Sequence, residues 1–390
     1  MKVAICNVQE FNPEIGGIER VSVSLAEGLM SRGIEVLFVA CRKSPYSKEY
    51  ELPARQIFLP DSTDYSERNV EAFCKIVNEE KIDILLNQNS HSELYNKTCK
   101  ETKLRTSVKL ISVLHFAPNM RILSNRNLFN PQYFGLARNL EFIARELSTK
   151  FPLQYFTMKQ QRRLMRVLYD NSDKVVLLSE KYIELYKKVA NIRQTDKLTA
   201  INNMLSFPYE KDNTCKKKQI LFCGRLAYRQ KRPDRLLKIW KKIQDMIPEW
   251  SLVILGDRPL RQKLVDNAEK LRLKRVTFAG FQDPIKYYKE SSIFCMTSNH
   301  EGFPMVLTEA MQYGCVPVAF NSFDSLSEII DNNKNGFIIE PFDLNDYGNK
   351  IISLIKSQKL KDFSDNAFKS MERLTIDKIT DKWIELFEKL

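Results

Sequence analysis

Short apolar runs bounded by turn residues alternate with stretches whose apolar residues recur at helical spacing, and the alternation starts afresh halfway along the chain. This pattern constrains the fold more than any other feature. A run too short for a helix, followed by an amphipathic helix, specifies a strand buried on both faces of a parallel sheet. Lys2–Cys6 reads as the first strand, Val21–Leu29 as a helix closed at Arg32-Gly33, and Ile34–Ala40 as the next strand. A helix near Val70–Glu79, strands Ile82–Leu86 and Lys109–Leu114, a basic helical stretch over Gln154–Tyr169, and strand Lys174–Leu178 continue the series.

The polar run Tyr209–Gln219 reads as a linker, which places a domain boundary near residue 206. A second series follows: strand Ile220–Cys223, helix Arg232–Met246, strand Ser251–Leu255, helix Leu260–Leu271, strand Val276–Ala279, helix Ile285–Glu290 and strand Ile293–Met296. Beyond it come helix Pro304–Tyr313, strand Val316–Ala319, a helix near Ser325–Ile330 and a turn at Asn335-Gly336. A length of 390 residues exceeds the roughly 100 to 200 of one domain, which agrees with two α/β domains. Two Rossmann-like halves facing one another would hold a ligand at the carboxyl ends of their strands. No short-period repeat or low-complexity tract interrupts the chain.

With 43% hydrophobic and 28% charged residues the chain is neither disordered nor fibrous. Eight scattered cysteines without a Cys-x-x-Cys pair exclude a zinc ribbon and a disulfide frame, and suggest a reducing compartment. The first apolar run is broken by Glu10, too early for a secretory signal, and no stretch approaches the ~20 apolar residues of a membrane span. The expectation is a cytoplasmic protein, free or peripheral on the membrane.

The net charge of +13 is unevenly spread, at −5 over residues 1–96, +11 over 97–166, +1 over 167–205 and +6 over 206–390. The basic segment fits either a solvated face or a surface for anionic headgroups, nucleic acid or a phosphorylated ligand.

Three clusters carry candidate chemistry. Gly16-Gly17 precedes a helix, where the backbone can approach a phosphate or sugar, or simply turn tightly. Gly224-Arg225 ends a strand and Lys231 opens the next helix, an arrangement that suits two cations on a diphosphate, or two solvated side chains. Arg229 and Arg232 beside them read as solvated. In Ser298-Asn-His-Glu301-Gly302-Phe303-Pro304-Met305-Val306-Leu307-Thr308-Glu309, Pro304 fits the first turn of a helix whose leading amides stay free for an anion. Glu301 lies in the loop before that helix and Glu309 just over one turn inside it. Each carboxylate can accept hydrogen bonds from vicinal sugar hydroxyls or face solvent.

Gly16-Gly17, Gly224-Arg225 with Lys231, Leu255-Gly256-Asp257, and Glu301 followed by seven residues and Glu309 together resemble glycosyltransferase family 4, retaining enzymes of the GT-B fold. The resemblance covers nearly the whole chain, with motifs in the family's order. It implies domains at 1–205 and 206–375, the second holding the nucleotide sugar, and a helix over 376–390 that crosses back to the first domain. It implies that Arg225 and Lys231 bind the donor diphosphate and stabilise the leaving nucleotide, that Glu309 holds the ribose, and that Glu301 lies beside the transferred sugar. The backbone of Phe303, Pro304, Met305 and Val306 would contact sugar or phosphate oxygens, with a base pocket near Gly280–Gln282. Gly16 and Gly17 match a loop that approaches the donor, and His115, at the end of Lys109–Leu114, matches a histidine lining the reaction centre or else a strand cap.

The implied reaction is same-face transfer from a nucleotide sugar to a saccharide or lipid-linked saccharide in surface polysaccharide or glycolipid synthesis. It requires no metal and no cofactor beyond the donor. The chain departs from relatives at Asp257-Arg258-Pro259, where another glycine is common, and at Phe303-Pro304, where a small residue often follows the phenylalanine. UDP-hexose and UDP-N-acetylhexosamine are the expected donors, ahead of GDP-mannose. A nucleotide-sugar epimerase of similar shape and a non-catalytic carbohydrate- or nucleic-acid-binding protein are the competing readings.

Overall fold

The computed structural model describes residues 1–44, 50–127, 155–212, 214–257 and 259–390. Much of the basic segment, Gln154 at the start of an expected helix, and Arg258 lie outside the described residues. Elements run in the order β1 (Lys2–Gln9), α1 (Gly17–Ser31), β2 (Glu35–Arg42), β3 (Gln56–Phe58), α2 (Glu67–Glu79), β4 (Ile84–Asn87), α3 (Glu93–Arg105), β5 (Lys109–Leu114), α4 (Met120–Asn127). Next come α5 (155–171), β6 (Lys174–Leu177), α6 (Lys181–Ala190) and β7 (Leu198–Ala200). The second series is β8 (Lys217–Cys223), α7 (Pro233–Ile243), β9 (Ser251–Leu255), α8 (Arg261–Lys270), β10 (Val276–Gly280), α9 (Ile285–Glu290), β11 (Ser291–Met296), α10 (Met305–Gln312) and β12 (Val316–Phe320). It ends with α11 (Leu326–Ile329), β13 (Phe337–Ile339), α12 (Leu344–Lys356), α13 (Leu360–Ser370) and α14 (Ile376–Glu388).

The first unit holds a seven-stranded sheet in the order β3-β2-β1-β4-β5-β6-β7, all parallel. Its central strands are buried on both faces, which is why Val3–Val8 carries no alternation of polar and apolar residues. Between the sheet and helices α2 and α3 lies a core of Val39, Leu85, Phe73, Val77, Tyr95 and Cys99. Helix α2 starts where the Ser66 side chain accepts from the Asn69 amide at 3.1 Å. Helix α1 ends at Gly33, whose φ of +77° suits glycine at a helix C-terminus.

The second unit holds a six-stranded parallel sheet, β10-β9-β8-β11-β12-β13, around a core that includes Ile220, Leu252, Ile293, Val318, Trp240 and Tyr347. In both sheets the strand order reverses beside the first strand of the series, between β1 and β4 and between β8 and β11. Such reversal points open a crevice at the carboxyl ends of the strands because consecutive crossovers depart to opposite faces. The register pairs Ile220 with Ile293 and Leu221 with Phe294, so the segments after Cys223 and Met296 leave the same edge of the sheet side by side.

The break between the units falls between Ser206 and Phe207, and Leu374–Leu390 returns to the first unit. There α14 packs on α1: a side chain at Gly28 would meet Thr380 Oγ1, and Arg32 lies 3.0 Å from Asp377 and 3.2 Å from Asp381. The expected linker is shorter than the polar run, since β8 already begins at Lys217 and Tyr209 stacks on Phe368 with ring centroids 4.6 Å apart.

Candidate functional site

At the reversal point of the second sheet the chain leaves β8 through Gly224, with φ +148°, and leaves β9 through Gly256, with φ +143°. Both angles are rarely adopted by residues with a side chain. At Gly256 the space is also missing, because a Cβ atom would stand 2.0 Å from the Gly224 carbonyl oxygen. The two glycines let neighbouring strand ends come together, and the Lys231 stem crosses 3.7 Å from the point where a Gly224 Cβ would be.

Lys231 reaches this edge because the loop before α7 is tied to the end of β11. The Asn299 amide donates to the Gln230 carbonyl at 2.7 Å, Asn299 Nδ2 donates to the Arg229 carbonyl at 2.9 Å, and Thr297 Oγ1 donates to the Arg232 carbonyl at 2.8 Å. Lys231 Nζ lies 2.9 Å from Glu301 Oε1, and Gln230 Nε2 donates to Glu301 Oε2 at 3.1 Å. Both oxygens of Glu301, a residue only 6% exposed, are therefore held. Arg225 is exposed and makes no hydrogen bond or ion pair among the described residues.

Arg232 is not solvated, contrary to the expectation from sequence. It is 1% exposed, adopts φ +51° as the cap of α7, and binds Asp234 in a two-pronged ion pair at 2.9 and 3.0 Å. The bend it makes turns the chain from the Lys231 loop into Pro233, the first residue of the helix.

Helix α10 begins at Met305, one residue later than expected, with Pro304 as its extended cap. The Pro304 carbonyl accepts from the Leu307 amide at 3.1 Å, leaving the first two amides, of Met305 and Val306, without a partner inside the helix. Phe303 is buried, while Met305 and Val306 are half-buried. Ser325 Oγ donates to the Gly302 carbonyl at 2.6 Å and Ser322 Oγ to the Ser298 carbonyl at 2.7 Å, which fixes the loop that carries Glu301. Glu309 is 1% exposed and accepts from the Tyr288 hydroxyl at 3.0 Å. Burial pushes the Tyr288 phenol well above its usual range, so it donates at every working pH.

In the first unit, Gly16 caps α1 with φ −169°, an extended conformation open to any residue. The need there is for space: a Cβ would stand 2.6 Å from Glu19 Oε2. Glu19, 9% exposed, fills that space, accepts from Asn7 Nδ2 at 3.2 Å, and is raised above the usual carboxylate range by burial. Gly17 is the first residue of the helix. His115 follows β5 with Nε2 2.6 Å from Gln88 Oε1, so this amide orientation puts the imidazole proton on Nε2. Burial, with His91 nearby, pushes its pKa down to about 3, and the ring is neutral at neutral pH.

The structure thus joins Lys231 with Glu301 and sets Glu309 on Tyr288, one helix turn inside α10. Gln230, Tyr288 and Gln88, which orient the expected site residues, escaped the sequence reading. Each acts over a separation of 21 to 71 residues, and no local pattern marks it.

Compared with known proteins, the chain matches two family models, Glycosyltransferase Family 4 over residues 15–205 and Glycosyl transferases group 1 over residues 209–370. It is 29% identical over 237 residues to the amylovoran biosynthesis glycosyltransferase AmsD of Erwinia amylovora, covering 58% of this chain and 65% of the relative. The chain therefore spans under two-thirds of that relative's length. It is 23% identical over 406 residues to an Escherichia coli UDP-Gal:α-D-GlcNAc-diphosphoundecaprenol α-1,3-galactosyltransferase, covering 99% of this chain and 97% of that one. The crystal structure of Anabaena HepE in complex with UDP-glucose superposes with a TM-score of 0.73 over the whole of both chains at 16% identity, which makes the fold GT-B. With one family model ending and the other beginning at the break between the two units, the chain belongs to glycosyltransferase family 4.

Proposed function

We propose that the protein is a retaining glycosyltransferase that moves a hexose or N-acetylhexosamine from a UDP-sugar to a saccharide or lipid-linked saccharide in polysaccharide or glycolipid synthesis. The observation that carries this reading is the Lys231–Glu301 pair at the neighbouring ends of β8 and β11, in the loops that also carry Arg225 and lead into α10. Departure of a nucleoside diphosphate develops negative charge, and preorganised cations and amides stabilise that charge without reorganising at the moment of reaction. Arg225 and Lys231 meet the diphosphate, while the Phe303–Val306 backbone and Glu301 contact the sugar. Glu301, clamped by Lys231 and Gln230, is a rigid acceptor of sugar hydroxyl hydrogen bonds, and Glu309, oriented by Tyr288, accepts from the ribose. His115, in the first unit, is neutral and carries no charge, and no residue of the set is asked to serve as a base.

HepE binds UDP-glucose and the Escherichia coli relative uses a UDP-galactose donor and a diphosphoundecaprenol acceptor, which supports UDP as the carrier and a lipid-linked acceptor at a membrane surface. A cytoplasmic location, peripheral on the membrane, belongs to the same reading, as does a donor site that works without metal.

Thermal unfolding with UDP and with GDP, in EDTA, tests the donor site without an acceptor. Ligand at about 100 times its dissociation constant should stabilise the protein by about 2.7 kcal/mol. We expect a UDP-selective shift that Glu309→Gln abolishes; no shift with either nucleotide at millimolar concentration would refute the donor site.

A further inference from the structure

Helix α5 (155–171) presents two unlike sides. Inward, Thr157, Gln161, Leu164, Met165 and Leu168 are buried, and the last three join a core with Val175, Leu177, Tyr182 and Tyr186. Outward, its first turn displays Tyr155, Phe156 and Met158, at 65%, 61% and 48% exposure. Behind them on the same side stand Lys159, Arg162, Arg163 and Arg166, all exposed. Positions 155, 159, 162 and 166 follow the i, i+4, i+7, i+11 line of a single helix face. No acidic residue occurs from Tyr155 to Tyr169.

Two of the four cations are held in place. Arg166 donates to the carbonyls of Ala190 and Asn191, both at 2.8 Å, and Arg162 to that of Val189 at 3.4 Å, so the two close the C-terminal end of α6 beside Lys187 and Lys188. Lys159 and Arg163 make no hydrogen bond or ion pair among the described residues.

We propose that the outer face of α5 docks on an anionic lipid bilayer, with Tyr155, Phe156 and Met158 entering the headgroup boundary and the four cations lying against acidic headgroups. Aromatic side chains with a polar tip or flat ring settle at that boundary, and flexible basic stems keep their charges in the headgroup layer. A nucleic-acid backbone would engage the cations alone and give Met158 no role. The inference rests on the peripheral location proposed above and names its surface; neither donor nor acceptor enters its test, so its failure would leave the transferase reading standing.

Flotation of the full chain with vesicles tests it, comparing neutral phosphatidylcholine with the same lipid carrying about 30% phosphatidylglycerol. The wild type should partition at least about tenfold more strongly to the anionic vesicles. Tyr155→Ser/Phe156→Ser/Met158→Ser and Lys159→Ser/Arg163→Ser should each lower that partition at least about fivefold with the melting curve unchanged. Arg162 and Arg166 are left intact so that the end of α6 stays capped. Equal partition of the wild type to both vesicles, or none to either, overturns the proposal, as does wild-type binding by both variants. Tighter binding to duplex DNA than to the anionic vesicles, unaffected by loss of the three apolar side chains, also overturns it and marks a nucleic-acid surface.

Discussion

Replacing Lys231 by alanine removes the ammonium group 2.9 Å from Glu301 and leaves that carboxylate, 6% exposed, without its cation while the Gln230 amide keeps its hold. Breaking a buried pair from one side costs about 3–5 kcal/mol, mostly because a charge is left in a poorly solvated place. Here Gln230 keeps one hydrogen bond and the vacated lysine path, 17% exposed, admits water, so about 2 kcal/mol is expected. Glu301→Gln in the same background removes the stranded charge while Gln230 can still donate to the new amide, and should recover about half of the loss. Urea unfolding read by fluorescence reports the second unit, since Trp240 and Trp250 are buried there; Trp383, in the first unit, can be silenced as Trp383→Phe. A double variant no more stable than Lys231→Ala would refute the reasoning that the stranded carboxylate is the cost. Sugar transfer should not return with stability in the double variant, because the cation at the diphosphate is still missing.

His115 predicts a pH effect confined to the first unit. Its unfolded pKa near 6.5 falls to about 3 on folding, so stability present above pH 6.5 is lost as pH falls through that window, by about 2 kcal/mol between pH 7 and 5. Urea unfolding followed at Trp383 should show that loss in the wild type and not in His115→Asn; equal slopes would overturn it. Gly256→Ala drives a methyl group into the Gly224 carbonyl at an unfavourable φ and should destabilise the second unit by about 3 kcal/mol or more. Urea midpoints would measure this, and a change under about 1 kcal/mol would mean that the strand ends can separate without penalty.

The architecture was legible because strands buried on both faces leave an unmistakable apolar signature: Lys109–Leu114, Ser251–Leu255 and the helix Ile285–Glu290 match the reading residue for residue. Helix α3 was missed because its inner face is built from Thr98 and Thr102 beside Cys99 and Tyr95, and so lacks an apolar stripe. Strands β3, β7 and β13 span three residues each, too short to show a period. At the site, the residue types were legible from motif order, but their partners were not. Arg225 and Lys231 were expected to act as a pair on a diphosphate, and no local pattern announces that Lys231 is engaged with Glu301, 70 positions away. A solvated reading of Arg232 failed because composition cannot reveal that Asp234, two positions on, folds back onto it.

The return of α14 to α1 has a consequence for biosynthesis. The contacts of Gly28 with Thr380 and of Arg32 with Asp377 and Asp381 join segments made before and after the second unit's sheet. The sheet of the first unit emerges early from the ribosome, yet the surface of α1 that faces Thr380 stays uncovered until the whole second unit has been made. The second unit, whose sheet and helices α7 to α13 lie within Phe207–Arg373, can finish folding first. The unit whose sheet is made first of the two is therefore the later to be completed, and for that interval α1 carries an uncovered seam that a chaperone or a neighbouring nascent chain can reach.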